Sequence, residues 1–262
     1  MATAAVGLSA SRMSVGRVFE RAFATVRQNP LVTIALAVLF GGLPLFAVEF
    51  FLSQIPPESF YMTIGSNYLP GTVPLAMIKW FGGLVVSTIA IGAITKPVLA
   101  YSYGRKASFR EAVWTVLRNL GSLLFLGTLL GLCVIVGTTL LIVPAVIVFL
   151  LWVVAAPALV EEGDGVFLSL SRSQELSAGA RWKCFAVLLL VMIPHVILYV
   201  ILATTLRIVD PGTTFNSAAT IAIIFLGAAV QLLWATVQGS LYVELRDWKE
   251  GPGIGNLENV FA

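Results

Sequence analysis

The only histidine, His195, lies in an apolar run, directly after Pro194 and four residues before Tyr199. A step of four returns a helix to the same face, so the imidazole and the phenol share one surface. In a later run Gln231, Ala235, Gln238 and Tyr242 recur at spacings of four, three and four, again a single helical stripe. An ionisable group within a segment apolar enough to enter lipid is a functional candidate by default. If the two runs form a hairpin, His195 reaches Gln231 or Gln238 across it, and the expected intramembrane polar cluster is His195, Tyr199, Gln231 and Gln238. Such a cluster serves either as interhelical hydrogen bonding, worth about 1 kcal/mol per contact, or as a substrate or proton pathway. The first is the expectation. A lone imidazole without a carboxylate or second histidine beside it builds neither a metal site nor a hydrolytic triad. No catalytic, cofactor-binding or metal-ligating residue is therefore expected.

A second group of candidates is charged. Arg172 and Glu175 are three apart, and Arg246 and Glu250 are four apart, so each pair shares a helix surface. Arg181 and Lys183 lie close by in sequence. Two roles are open to these six residues. Either Arg172, Glu175, Arg246 and Glu250 form a charge network that clamps the segment around Arg172 to the end of the last apolar run, with Arg172 facing Glu250; or Arg172, Arg181 and Lys183 bind anionic headgroups. Glu161-Glu162-Gly163-Asp164-Gly165 lacks the alternating ligands of a calcium loop and reads as a solvated turn. Glu49 and Lys79 lie in the outward halves of adjacent runs, where they either pair or, as the expectation, snorkel to the headgroups. Cys133 and Cys184 lie in or beside different apolar runs and suit packing better than a disulfide or metal framework. No serine elbow, phosphate-binding loop or paired-carboxylate motif occurs.

The elements that must position these groups are membrane helices. Apolar residues make up 58% of the 262-residue chain and charged ones 11%. Apolar runs occupy 31–52, 77–100, 120–143, 145–160, 185–206 and 220–243. At about 1.5 Å rise per residue, roughly 20 residues cross a 30 Å hydrocarbon core. Fourteen of the sixteen Lys and Arg residues flank these runs on one side, leaving Lys79 and Arg207 toward the other. Short basic loops stay cytoplasmic, so both termini are expected inside. The first 30 residues resemble no secretory signal. A net charge of +3 with no basic–aromatic cluster fits an anionic membrane surface and excludes a nucleic-acid surface.

Three amphipathic segments precede pairs of runs: 12–28, 108–119 and 165–182. The first two align at an offset of 90, with Phe19/Phe109, Ala22/Ala112, Thr25/Thr115, Val26/Val116 and Asn29/Asn119 identical. Ser108 and Glu111 have the spacing of a capping box. The expectation is an all-α, polytopic bundle: one membrane domain of six transmembrane helices and three cytoplasmic interfacial helices, then a tail at 244–262. Pro144 breaks the third run from the fourth in a hairpin at 141–145, because one continuous helix would be twice too long. Pro44 and Pro194 kink their runs. Gly127 and Gly131 permit close internal packing.

Arg172-Ser173-Gln174-Glu175-Leu176-Ser177-Ala178-Gly179-Ala180-Arg181-Trp182, together with Tyr242-Val243-Glu244-Leu245-Arg246 leading into Lys249-Glu250-Gly251, resembles the signatures of the bacterial glycerophosphoryl diester phosphodiesterase membrane-domain family. Gly16-Arg17-Val18-Phe19-Glu20-Arg21-Ala22-Phe23 and Ile142-Val143-Pro144 resemble it too, so the likeness covers most of the chain. In some relatives this region is fused to a phosphodiesterase barrel. This chain has no room for the barrel and lacks its His and acidic residues, so the resemblance implies fold and location rather than activity. The expected function is non-catalytic: a structural or partner-binding module at the cytoplasmic lipid interface of a bacterial inner membrane. Its partners would be membrane lipids, anionic phospholipid among them, and an unidentified protein. A transporter or channel for a small amphiphile is the alternative, and an intramembrane enzyme comes third.

Overall fold

The computed structural model describes residues 13–55, 62–64, 67–69, 72–140, 142–209 and 218–251. Among these the chain is helical apart from a short antiparallel ribbon, β1 (Met62–Ile64) against β2 (Asn67–Leu69), with Met62 opposite Leu69. Six stretches are long and apolar enough to cross a membrane: Pro30–Leu52, Met77–Ser102, Phe109–Gly137, Val143–Glu162, Arg181–Leu198 and Phe225–Glu250. The protein is an all-α integral membrane bundle.

Helix α1 (Val15–Gln28) buries Val18, Ala22 and Thr25 and leaves Phe23 exposed, the amphipathicity its sequence predicts. It stops at Asn29, whose extended φ of −137° suits a residue before proline, and α2 (Pro30–Ala37) starts with Pro30 at its first position. The equivalent point of the second amphipathic segment is Asn119, followed by Leu120 instead of proline. Nothing stops the helix there, and α5 runs unbroken from Phe109 to Leu140. The separate interfacial helix expected at 108–119 is thus the first three turns of a membrane helix. At 1.5 Å per residue α5 is about 48 Å long, well beyond a hydrocarbon core.

Pro44 has a local consequence. Its ring cannot sit beneath the carbonyl of Phe40, and the preceding residues Val38–Gly42 widen into a π turn before α3 (Leu43–Ser53). Gly41 and Gly42 let α10 (Ala218–Glu250) approach: a Cβ on Gly41 would lie 2.7 Å from Gln231 Cγ. Helix α4 (Thr72–Ser102) packs against α5 and α10 through most of its length. Gly127 and Gly131 of α5 face α4, and a Cβ on Gly127 would meet Val85 Cα at 3.0 Å.

The third and fourth runs separate where expected, with α6 (Ile142–Leu151) beginning two residues after α5 ends and residue 141 outside the described set. Gly137 packs on the backbone of Ala145, closing the hairpin. The fourth run is not one helix. It breaks at Trp152–Val154 before α7 (Ala155–Glu162). Gly163 (φ +73°) then ends α7 and Gly165 (φ +89°) starts α8 (Val166–Ser177). Helix α8 also ends earlier than the segment expected at 165–182: Gly179 (φ +84°) turns the chain, and Arg181 and Trp182 open α9 (Arg181–Val209). Helix α10 continues to Glu250 because no breaker precedes Gly251, so 244–250 is helix rather than tail, and 252–262 lie outside the described residues.

The core is concentrated at one end. Leu36, Ile94, Val98, Val116, Leu123, Leu126, Leu159, Leu176, Leu241 and Leu245 are buried there. Cys184 and Val191 are buried near the start of α9, yet Met192 to Leu198 are all exposed. Among the described residues the bundle is tight at one end and leaves this part of α9 uncovered.

Gly127→Leu is expected to lower stability by roughly 1–3 kcal/mol through overpacking against the α4 backbone. Gly121→Leu, with nothing within 4 Å of its added Cβ, should leave the thermal unfolding midpoint in detergent unchanged; equal midpoints for the two variants would refute the close approach.

Candidate functional site

The tight end of the bundle contains a continuous set of ion pairs among helix ends distant in sequence. Glu162, at the end of α7, is its centre. Arg172 on α8 donates through Nε to both Glu162 oxygens, at 2.9 and 3.0 Å, and through Nη2 to Glu250 on α10. The Tyr242 hydroxyl of α10 donates to the same carboxylate at 2.8 Å. Its neighbour Glu161 accepts from Lys96 of α4 at 3.1 Å and lies 3.7 Å from Arg246 of α10. Arg246 also bonds the Tyr103 hydroxyl just beyond α4. Four elements are thereby tied by two adjacent carboxylates.

A second knot joins α1 to α10. Glu244 has a side chain only 3% exposed. It accepts the Ser14 N–H at 2.9 Å and Arg17 Nη2 at 2.6 Å, while Arg21 bonds Asp247 at 3.2 Å. Lys183 of α9 donates to the Met13 carbonyl at 2.7 Å, adding the fifth run to the same face. The Glu244 hydrogen bond raises the Arg17 pKa, and burial is a smaller opposing effect. For Arg172 burial is the largest single influence and works against the charge, but bonds to Glu162 and Glu250 outweigh it and the pKa rises. Both guanidiniums stay charged. The sequence motifs thus have mechanical roles, since charges paired at a low-dielectric boundary attract far more strongly than in water.

The break in the fourth run is satisfied from outside it. Ser173 Oγ donates to Leu151 O at 2.9 Å and accepts Val154 N–H at 3.2 Å. Gln238, its amide oriented as its neighbours require, donates to Val153 O at 3.2 Å and accepts Trp234 Nε1–H at 3.1 Å. Backbone groups freed inside a membrane protein need such partners. Ser173, one residue from Arg172, therefore joins α8 to the break while its neighbour joins α8 to α7 and α10.

The structure brings together some of the expected residues and separates others. Arg172 meets Glu250, and Glu175 lies 3.9 Å from Arg172 while largely exposed. Arg246 does not pair with Glu250; it turns toward Tyr103 and Glu161. Glu161 and Glu162, expected as a solvated turn, are the hub, because the αL cap at Gly163 turns the chain after α7 and leaves its last residues among α4, α8 and α10. Arg181 is exposed and makes no ion pair among the described residues. Lys79 pairs with Glu49 at the opposite face instead of snorkelling alone.

The expected His195 cluster does not assemble. His195 is exposed, with no hydrogen-bond partner among the described residues. Gln231 donates to Ser87 Oγ of α4 at 2.9 Å, and Gln238 is spent on the break. The reason is packing: α10 lies chiefly against α4 and α1, whereas α9 makes little contact with α10 beyond its first turns. The side chain of Tyr199 lies outside the described residues. Among those described, no group of three or more His, Cys, Asp or Glu could hold a metal ion.

What fold and site define is an integral membrane bundle closed by charges at one face. No family model, curated protein or solved structure matches the chain, and the likeness to the phosphodiesterase membrane-domain family rests on its motifs alone.

Removing the hub should cost more than removing its rim. Glu162→Ala is expected to destabilise by roughly 1–3 kcal/mol, since its side chain and that of Arg172 are each 25% exposed and the buried Tyr242 hydroxyl loses its acceptor, and Glu250→Ala, whose side chain is 45% exposed, by under about 1 kcal/mol. Arg172→Glu combined with Glu250→Arg should recover only part of the lost stability, because Glu162 still faces the new carboxylate; full recovery in denaturation midpoints would contradict the hub. Ser173→Ala should cost about 1–3 kcal/mol by orphaning Val154 N–H, against no measurable loss for His195→Leu.

Proposed function

We propose that this protein is a non-catalytic scaffold of a bacterial inner membrane, with both termini cytoplasmic and the clamped face at the inner, anionic leaflet. The observation that carries the reading is the use of its charged residues. The signature-like segments bind other parts of the same chain, and the exposed charges left unpaired at that face are mostly basic: Arg27, Arg105, Lys106, Arg110, Arg118 and Arg181 make no ion pair among the described residues, against the carboxylates Glu20, Glu111 and Asp164. Uncompensated cations at a membrane boundary attract anionic lipid, each by about 1 kcal/mol.

Exposed aromatics support the same placement. Phe23, Phe109, Trp114, Phe167 and Trp182 project from the helices of this face, where amphipathic rings favour the headgroup layer. In α4 the two lysines, Lys79 and Lys96, are separated by about 26 Å of helix at 1.5 Å per residue. That spacing fits a hydrocarbon core bracketed by charges, with Lys96 and its partner Glu161 at the inner boundary.

The transporter reading needs a polar cavity near the midplane, and the glutamines it would use are engaged in helix contacts. Anionic lipid that binds the folded state selectively raises its stability. The unfolding midpoint in phosphatidylglycerol nanodiscs is therefore expected to exceed that in phosphatidylcholine nanodiscs, and the difference to shrink at high salt. Equal midpoints would defeat the lipid-interface reading; a tag at either terminus reacting from outside the cell would defeat the orientation.

A further inference from the structure

The unpaired cations are not spread evenly around the basic face. Asn29, between α1 and α2, accepts the Ala107 N–H at 3.2 Å while donating to Gln28 O at 3.2 Å. This contact joins the α1–α2 corner to the loop leading into α5. Arg27 lies two residues from one partner; Arg105, Lys106 and Arg110 lie within three residues of the other. All four are exposed. None makes an ion pair among the described residues, and Arg105 lies 5.8 Å from the Tyr103 ring centroid. Glu111 is the one carboxylate in this loop and helix start, also exposed and without an ion pair.

The surface directly below is apolar. Helices α2 and α5 are in contact. Along α2, Leu31 is 83% exposed and Ile34 follows at one helical turn; along α5, Trp114 is 68% exposed and Leu117 follows likewise. Two apolar stripes thus descend from one cluster of cations. A phospholipid has that same polarity, a phosphate above two acyl chains.

We propose that the α2–α5 junction is a headgroup site for an anionic phospholipid, resting on the lipid-interface reading above. Arg27, Arg105, Lys106 and Arg110 hold the phosphate, and Leu31, Ile34, Trp114 and Leu117 line the chains. An acidic protein partner would not require the apolar stripes beneath. Arg172 and Lys183 are not part of the site, because Glu162, Glu250 and the Met13 carbonyl already occupy them.

Native mass spectrometry of the full chain in neutral detergent, titrated with equal phosphatidylglycerol and phosphatidylcholine, tests the site. The unaltered protein should retain phosphatidylglycerol preferentially. Each cation neutralised to Gln should weaken that retention by roughly fivefold, and Arg27→Gln, Arg105→Gln, Lys106→Gln and Arg110→Gln together should abolish the preference. The corresponding Arg→Lys changes should keep it. Arg110→Glu alone, on an exposed position, provides a second reading should the fourfold variant elute as aggregate. If the unaltered protein prefers phosphatidylglycerol and the fourfold variant does so equally, the site is overturned while the lipid-interface reading stands. If the unaltered protein shows no preference, both fall, and the patch is left to an acidic protein.

Discussion

Two adjacent carboxylates at the end of a short helix determine how this bundle closes. Glu161 and Glu162 are held at the edge of the apolar core, where an unpaired charge would be costly and a paired one attracts strongly. The cations that neutralise them come from α4, α8 and α10, and a third carboxylate, Glu244, brings in α1. Each pair requires its helix end to sit within a few ångströms of a fixed point. The charges therefore specify relative helix position more than they supply net stability, since desolvation offsets much of their attraction. Apolar packing supplies the bulk: the largest buried side chains belong to one continuous core shared by these helices.

The broken fourth run depends on the same arrangement. Carbonyls and amides freed at Trp152–Val154 find Ser173 and Gln238, and Ser173 is positioned because Arg172 anchors α8 beside it. A hydroxyl and a guanidinium on successive residues, about 100° apart around the helix, thus reach different neighbours of it. This explains why a polar motif directly precedes a membrane run, without any catalytic chemistry.

Apolar run length, the basic asymmetry and proline positions made the six membrane helices legible, because lipid thickness and backbone hydrogen bonding leave few alternatives. Single residues decided the details that patterning missed. Pro30 separates α1 from α2, while Leu120 at the aligned position lets α5 run on. Gly179 moves Arg181 and Trp182 from α8 to α9. The Arg172–Glu250 contact was readable as charge complementarity, but Glu161 and Glu162 were not readable as the hub. Their partners lie 10 to 85 residues away, and local acidity looks the same whether solvated or paired. His195 was misplaced by a sound local rule: periodicity says which face a side chain occupies, not whether another helix arrives there.

The bare stretch from Met192 to Leu198 gives the molecule unequal stiffness. One end of the bundle is riveted by charge, while Met192 to Leu198 of α9 stand exposed on its surface. A thicker or thinner bilayer meets resistance at the riveted end and little along this stretch, so mismatch is absorbed as tilt of that one helix. Lipid is in this sense the natural neighbour of Met192 to Leu198, and the lie of that stretch belongs as much to the surrounding membrane as to the polypeptide.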